Sequence, residues 1–279
     1  MQQSGRAKGI RRFVAGWGKT VLGRLVFGLG LGRRLLASRA VIVAFHRVEE
    51  QGPNDAMTVP TAQFREWCRF FQKHFRVVPL EGIVGKLERG EAFAGELAIT
   101  FDDGYLDFQT EAVPVLASLG LPATVFAVSD YVGTDIRPWW DTVQAYPFMD
   151  WTQLGTVAAQ GFAVGSHGKS HAAMDELTPA AALEELVVSK AVLEAGLGRP
   201  VVWYAYPFGH PEKMPEAARE SVRQAGYRAC LGYGGLIGPR ANPFRLDRVC
   251  VNGWFSSPYQ FGGYLVALYL RHLLGRIRE

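Results

Sequence analysis

The sequence predicts an α/β fold, a (β/α) barrel formed by a single domain behind a basic N-terminal arm. Three observations predict it. Apolar runs of strand character alternate with amphipathic helical patterns over roughly 200 residues, the length of such a barrel. The runs end repeatedly in polar, chemistry-bearing residues, where strand C-termini of α/β folds present their sites. The chain has 279 residues, 48% of them hydrophobic, and a mean hydropathy of +0.03. That suffices for one full core, and no internal repeat or low-complexity segment interrupts it.

Residues 1–39 hold nine Lys/Arg and no Asp or Glu, leaving 21 basic and 26 acidic residues in the remainder, a net of −5. The overall +4 is therefore a property of the arm, and an acidic body argues against a nucleic-acid partner. Aromatic and aliphatic residues (Phe13, Trp17, Val21, Leu25, Phe27) are interleaved with the basic ones. The longest uncharged run, Leu25 to Gly32, is too short to span a bilayer, and Lys19 and Arg24 spoil a signal-peptide core. The arm reads as an imperfectly amphipathic element in peripheral contact with an anionic membrane, the alternatives being a poorly ordered leader or a helix packed on the domain. The expected location is the cytoplasm or the cytoplasmic face of a membrane, with an exported form left open. Cys68, Cys230 and Cys250 are odd in number and widely spaced, which argues against a disulfide framework or a cysteine zinc site.

The domain proper is expected over 40–257. Val41–Phe45 is a buried-strand run ending in His46 and Arg47. Thr61 is placed to cap a helix with Phe64, Trp67, Cys68 and Phe71 on its inner face. A short strand near Phe75–Val78, a helix near Glu81–Leu87 and the strand Leu97–Phe101 follow, then a helix stopped at Gly120 and a strand over Ala123–Val128. Residues 129–151 form an aromatic loop whose Trp140 is a candidate for stacking on a sugar face, the alternatives being a place at a membrane interface or packing onto the domain. Further strands are expected at Phe162–Gly165, Val201–Tyr206, Tyr227–Leu231 and Arg245–Val251. Helices begin at Thr152, at Pro179 behind the capping Thr178, and at Pro215. A last amphipathic helix occupies 258–279 and is a second membrane-leaning candidate.

The chemistry concentrates at two strand ends. Adjacent carboxylates Asp102 and Asp103 repel each other unless a proton or a cation lies between them; a helix N-cap would need only one. His167 and His171 are four apart on a loop after a strand, a metal-ligand interval. With Asp103 they offer two nitrogens and one carboxylate oxygen, a set that leaves positions open for water and substrate. Asp102 is then available as general base toward metal-activated water. One divalent ion is expected, zinc first, with cobalt, nickel and iron as alternatives.

Thr100-Phe101-Asp102-Asp103-Gly104, Ser166-His167 to His171 and Tyr206-Pro207-Phe208-Gly209 together resemble the motifs of the polysaccharide deacetylases, the NodB-homology or carbohydrate esterase family four. The resemblance runs from about Val41 to Val251. It implies a distorted (β/α) barrel and metal-dependent removal of an acetyl group from an N-acetylated sugar in a polysaccharide, oligosaccharide or lipid-linked glycan. It implies an oxyanion donor in the backbone amide of Phe208, with Pro207 and Gly209 fixing the turn and Tyr206 beside them as an oxyanion- or substrate-binding residue. Two departures are evident. Ala205 stands where the family has an arginine that orients the catalytic aspartate, and Arg248 is the candidate replacement. The late motif with an acid histidine is not recognisable. Ala44-Phe45-His46-Arg47-Val48 resembles the branch of biofilm poly-N-acetylglucosamine deacetylases, in which the acid histidine precedes the first motif; the resemblance thus implies His46 as general acid. Competing readings are a non-catalytic carbohydrate-binding member of the fold and a metal-dependent phosphoesterase.

Overall fold

The computed structural model describes residues 16–50, 55, 57–142, 144–252 and 255–274. Seven parallel strands close into a barrel: β1 (Val41–Phe45), β10 (Leu246–Cys250), β9 (Ala229–Tyr233), β8 (Trp203–Ala205), β7 (Ala163–Ser166), β6 (Thr124–Ala127) and β5 (Glu96–Phe101). Closure is made by β1 pairing β5 in register from Val41↔Leu97 to Phe45↔Phe101. The short β4 (Arg76–Val77) adds to β5 at Arg76↔Glu96, and a separate parallel pair joins β2 (Arg47–Glu49) to β3 (Thr58–Pro60). Every residue of β1 and β5 is buried, because a closed parallel barrel has side chains on one face and helices on the other.

Helices cover the outside: α1 (16–28), α2 (Gly32–Leu35), α3 (Thr61–His74), α4 (Leu80–Glu88), α5 (Val113–Ser118), α6 (Trp151–Ala159), α7 (Pro179–Leu197), α8 (Glu216–Gln224) and α9 (Pro258–Leu273). The expected strands and helices are present with boundaries moved by a few residues. Pro60, not Thr61, sits at the cap position of α3, and the Thr61 hydroxyl instead donates to Glu111 at 2.9 Å. The helix ahead of Gly120 begins as one π-turn, Phe108–Ala112, before continuing as α5. Thr178 caps α7 through the Ala181 amide and Gly198 ends it in the left-handed conformation, as the residues demand.

The arm and the last helix are less separate from the domain than 1–39 and 258–279 suggest. From residue 16 the arm is helical, and Phe27 of α1 is buried against Phe70 and His74 of α3. Phe261 of α9 is buried against Trp67 and Phe71. One face of the described part of the arm thus packs on the domain; residues 1–15, with Phe13, and 275–279, with Arg276 and Arg278, lie outside the described residues.

Candidate metal centre and active site

β5 delivers both carboxylates to the C-terminal mouth of the barrel and then breaks. Asp102 is still tied to the ladder, its amide donating to the Phe45 carbonyl at 2.9 Å, whereas Asp103 is in the left-handed conformation at φ 71°. That reversal sends the two side chains to different neighbours. Gly104 follows at φ 82°, where an added Cβ would press on Ala127 at 3.2 Å. The non-glycine residues with positive φ among the described residues are Asp103, His171 and Phe208, all of them site residues. Such backbone persists only where its surroundings hold it, and it concentrates at functional sites.

Asp103 Oδ1 lies 3.4 Å from His167 Nε2 and 3.3 Å from His171 Nε2. The three are buried, and one ligand atom from each lies within 4.8 Å of the others. His167 Nδ1 donates to the carbonyl of Ala205 at 2.7 Å, which leaves Nε2 with a free lone pair toward Asp103. Burial pushes His167 down to about 4, against the opposing charge of Asp102, so it is neutral near pH 7, the form a ligand requires. Burial would raise Asp103, but hydrogen bonding and charge from His171 outweigh it and keep the carboxylate ionised. Two imidazoles and one anionic oxygen fit a divalent ion of the zinc type.

Asp102 is held by other partners, close enough to His167 for its charge to be felt there. Arg248, from the middle of β10, donates Nη1 to Oδ1 at 2.7 Å and Nη2 to Oδ2 at 2.9 Å, while Tyr233 Oη donates to Oδ2 at 3.1 Å. Burial raises this carboxyl, yet the Arg248 guanidinium overrides it and holds it far below the usual carboxylate range. The arginine absent at Ala205 is thus supplied from another strand, and the Ala205 carbonyl serves His167 instead.

His46, one residue beyond β1, places Nε2 3.4 Å from Tyr233 Oη. Burial lowers its pKa, but the neighbouring Cys250 and the carboxylates of Asp103 and Asp102 push it up to about 9. It is therefore protonated at neutral pH. His210 is exposed in the loop after β8, its ring 6.3 Å from that of Tyr233.

Phe208, at φ 65° between Pro207 and Gly209, turns its ring onto His171 at 5.1 Å. The turn is held by Tyr233 N–H donating to the Gly209 carbonyl at 2.6 Å. Trp140 joins the site, its ring 4.4 Å from His171. Its loop is fixed from beneath: Trp140 Nε1 donates to Tyr105 Oη, Tyr105 donates to Asp141, each at 3.0 Å, and Asp141 pairs with the buried Arg47. Tyr206 is not brought to the mouth. Its ring lies over Arg219 and against Gly232, on the wall of a separate cavity of about 430 Å³ lined by Arg245 and Asp247; as the last residue of its run it points out of the barrel.

Several functional neighbours were not singled out from sequence. Tyr233, the last residue of β9, links Asp102 and His46; the Gly232-Tyr233-Gly234 context was its signal. Glu185 lies on the inner face of α7 with Ala182, Leu186, Ser189 and Leu193. Its carboxylate accepts from Ser170 N at 2.6 Å, and Ser189 donates to the Gly168 carbonyl at 2.9 Å, so α7 grips the loop between the two histidines. A carboxylate and a hydroxyl on a helix's apolar stripe were the available signal.

A family model described as "Polysaccharide deacetylase" matches residues 90–230. The chain is 27% identical over 171 residues to the putative polysaccharide deacetylase YxkH of Bacillus subtilis (strain 168), which covers 61% of this chain and 56% of that protein; it thus spans little more than half the length of the curated relative it matches. Among solved structures it is similar to the Streptococcus pyogenes deacetylase PplD (TM-score 0.68, 18% identity, 80% of this chain and 96% of that one). It is likewise similar to IcaB from Ammonifex degensii (0.68, 22%, 82% and 97%) and a de-N-acetylase from Aggregatibacter actinomycetemcomitans (0.64, 16%, 77% and 95%). At these identities the structures attest the distorted barrel, and the matched residues 90–230, half of the chain, contain the aspartate pair, both histidines and the Pro207 turn. The chain belongs to the polysaccharide deacetylase family.

Proposed function

We propose that the chain is a metal-dependent deacetylase that hydrolyses the N-acetyl group of an amino sugar in a polysaccharide, oligosaccharide or lipid-linked glycan, with zinc as the metal. One observation carries this reading: a buried Asp-His-His ligand set lies beside a second carboxylate withheld from it by Arg248 and Tyr233. Asp103, His167 and His171 would hold the ion. When bound, a divalent ion lowers the pKa of water toward neutrality and polarises the acyl carbonyl.

The chain's own residues supply the proton traffic. Asp102 stays ionised and accepts a proton from the attacking water as its oxygen bonds to the acetyl carbon. Arg248 and Tyr233 fix the direction in which that carboxylate can accept. His46, protonated at neutral pH, gives its proton to the amide nitrogen as the carbon–nitrogen bond breaks, because an amine leaves poorly as its anion. Water and amide become acetate and a free amino sugar. The Phe208 amide would donate to the developing oxyanion, and Trp140 beside His171 would wall the acyl pocket or stack on the sugar. The test is acetate release from N-acetylglucosamine oligomers by zinc-loaded protein. Release that disappears in Asp102→Asn supports the reading; a folded, zinc-loaded protein that releases no acetate from any N-acetyl amino sugar overturns it.

A further inference from the structure

Apolar exposure is concentrated on two helices that cross each other. Among the described residues, eight of the twelve exposed large apolar side chains belong to α1, the turn after it, or the end of α9, which rules out the scatter expected of an ordinary surface. Trp17 (67% exposed), Val21 and Leu25 recur every four residues and form one stripe of α1. Leu270, Leu273 and Leu274 are exposed at the end of α9.

The stripe is not a misplaced core face, because α1 already has its packing. A Cβ on Gly23 would fall 1.8 Å from the Tyr259 carbonyl oxygen, and one on Gly263 would fall 1.8 Å from that of Lys19. The two helices therefore touch backbone to backbone, and Phe27 completes the contact from the same side of α1. Trp17, Val21 and Leu25 face the other way.

Charge identifies the occupant. Residues 16–35 and 258–274 carry Lys19, Arg24, Arg33, Arg34 and Arg271 and no carboxylate, although residues 40–257 are acidic, with 18 Lys/Arg and 25 Asp/Glu. No described helix is long and apolar enough to cross a membrane. An apolar stripe with tryptophan, flanked by cations of one sign, matches an anionic bilayer surface, which accepts aliphatic groups below its headgroups and cations among them. We propose that α1, α2 and the end of α9 form a platform that lies on an anionic lipid surface.

The platform also sets a direction. Arg33 packs on Gly95, just ahead of β5, and α2 runs within a few residues into the start of β1 at Val41. Both lie at the N-terminal ends of the strands, whereas Asp102, Asp103 and His167 lie at the C-terminal ends. The lipid-bound protein therefore keeps its metal centre on the side away from the bilayer, and the mouth stays open to a glycan in solution.

Sedimentation of the full chain with vesicles tests this without any substrate, so its failure leaves the deacetylase reading untouched. Vesicles of phosphatidylcholine with about a third phosphatidylglycerol should bind the protein, and pure phosphatidylcholine should bind it far less. Salt should weaken the binding by screening. Arg24→Glu with Arg34→Glu should lower partitioning about five-fold for each cation removed, and further through the added carboxylates. Trp17→Ser with Leu25→Ser should lower it by removing apolar burial; where a variant does not fold, the salt and lipid dependence of the parent decides. Binding indifferent to lipid charge or to both double variants overturns the proposal. So does a parent that ignores vesicles and forms a dimer which Trp17→Ser with Leu25→Ser dissociates, since a second copy would then cover the stripe.

Discussion

The peptide between Asp102 and Asp103 turns one carboxylate toward Arg248 and the next toward two imidazoles. From that geometry Asp102→Asn should lower turnover roughly 10²–10⁴-fold, the usual range for a positioned base, with metal content unchanged. Asp103→Asn should reduce the metal bound per chain. Elemental analysis of both variants checks the division, which equal metal loss would contradict. His46 requires the same care with sign. An acid must carry its proton, and His46 is raised to about 9, so amide hydrolysis should decline as pH rises through about 9 and not below it. His46→Ala should cost roughly 10²–10⁴-fold on an amide, and much less on an activated acetyl ester whose leaving group needs little protonation. His210→Ala is the control; if it shows the amide-selective loss and His46→Ala does not, the acid is misassigned. Arg248→Met leaves Asp102 buried without its cation, with only the Tyr233 hydroxyl still donating to it. Its carboxyl should rise, moving the acid limb of activity to higher pH, and stability should fall by roughly 3–5 kcal/mol. The paired Asp102 is depressed in the fold, so the wild-type contribution is present above the unfolded carboxylate pKa and lost as pH falls toward the folded one.

At the scale of elements, the loop from His167 to His171 depends on α7 as much as on β7. Glu185 receives the Ser170 amide and hydroxyl, and a Cβ on Gly168 would approach the same carboxylate at 3.1 Å. Glu185→Ala should therefore weaken metal affinity roughly 10–100-fold, as loss of a ligand's outer support does, measured by competition with a chromophoric chelator. An unchanged affinity would mean that Ser189 alone holds the loop. This helix also shows where the sequence stops being legible. Its limits could be read because Thr178, Pro179 and Gly198 act locally on the backbone. Glu185 was not read as functional because its partner is an amide fifteen residues away, brought close by the barrel. The same holds for Tyr233, which has meaning only beside Asp102 and His46, and for Cys250 beside His46. Asp102, Asp103, His167 and His171 were legible because type and spacing carry their chemistry. Arg248 was reached only through the missing arginine at Ala205, and Tyr206 was misplaced because a strand-end motif does not say which of its side chains faces outward.

The whole molecule joins these parts by closing β1 on β5, which places the residues after both strands, His46 and Asp102, at one mouth. The closure was not readable as a strand count: the chain alternates strands and helices, but β4 stays outside the ring, and seven strands complete it. Phe45, Phe64 and Phe101 pack at centroid separations of 5.2–5.6 Å behind that mouth. The most direct test of the central claim is metal stoichiometry and acetate release, measured together on purified protein titrated with zinc. The expected result is one ion per chain, with acetate release from N-acetylglucosamine oligomers rising in proportion to occupancy until that single site is full. Two ions per chain, or acetate release indifferent to zinc occupancy, would contradict a single Asp103–His167–His171 centre as the seat of the reaction.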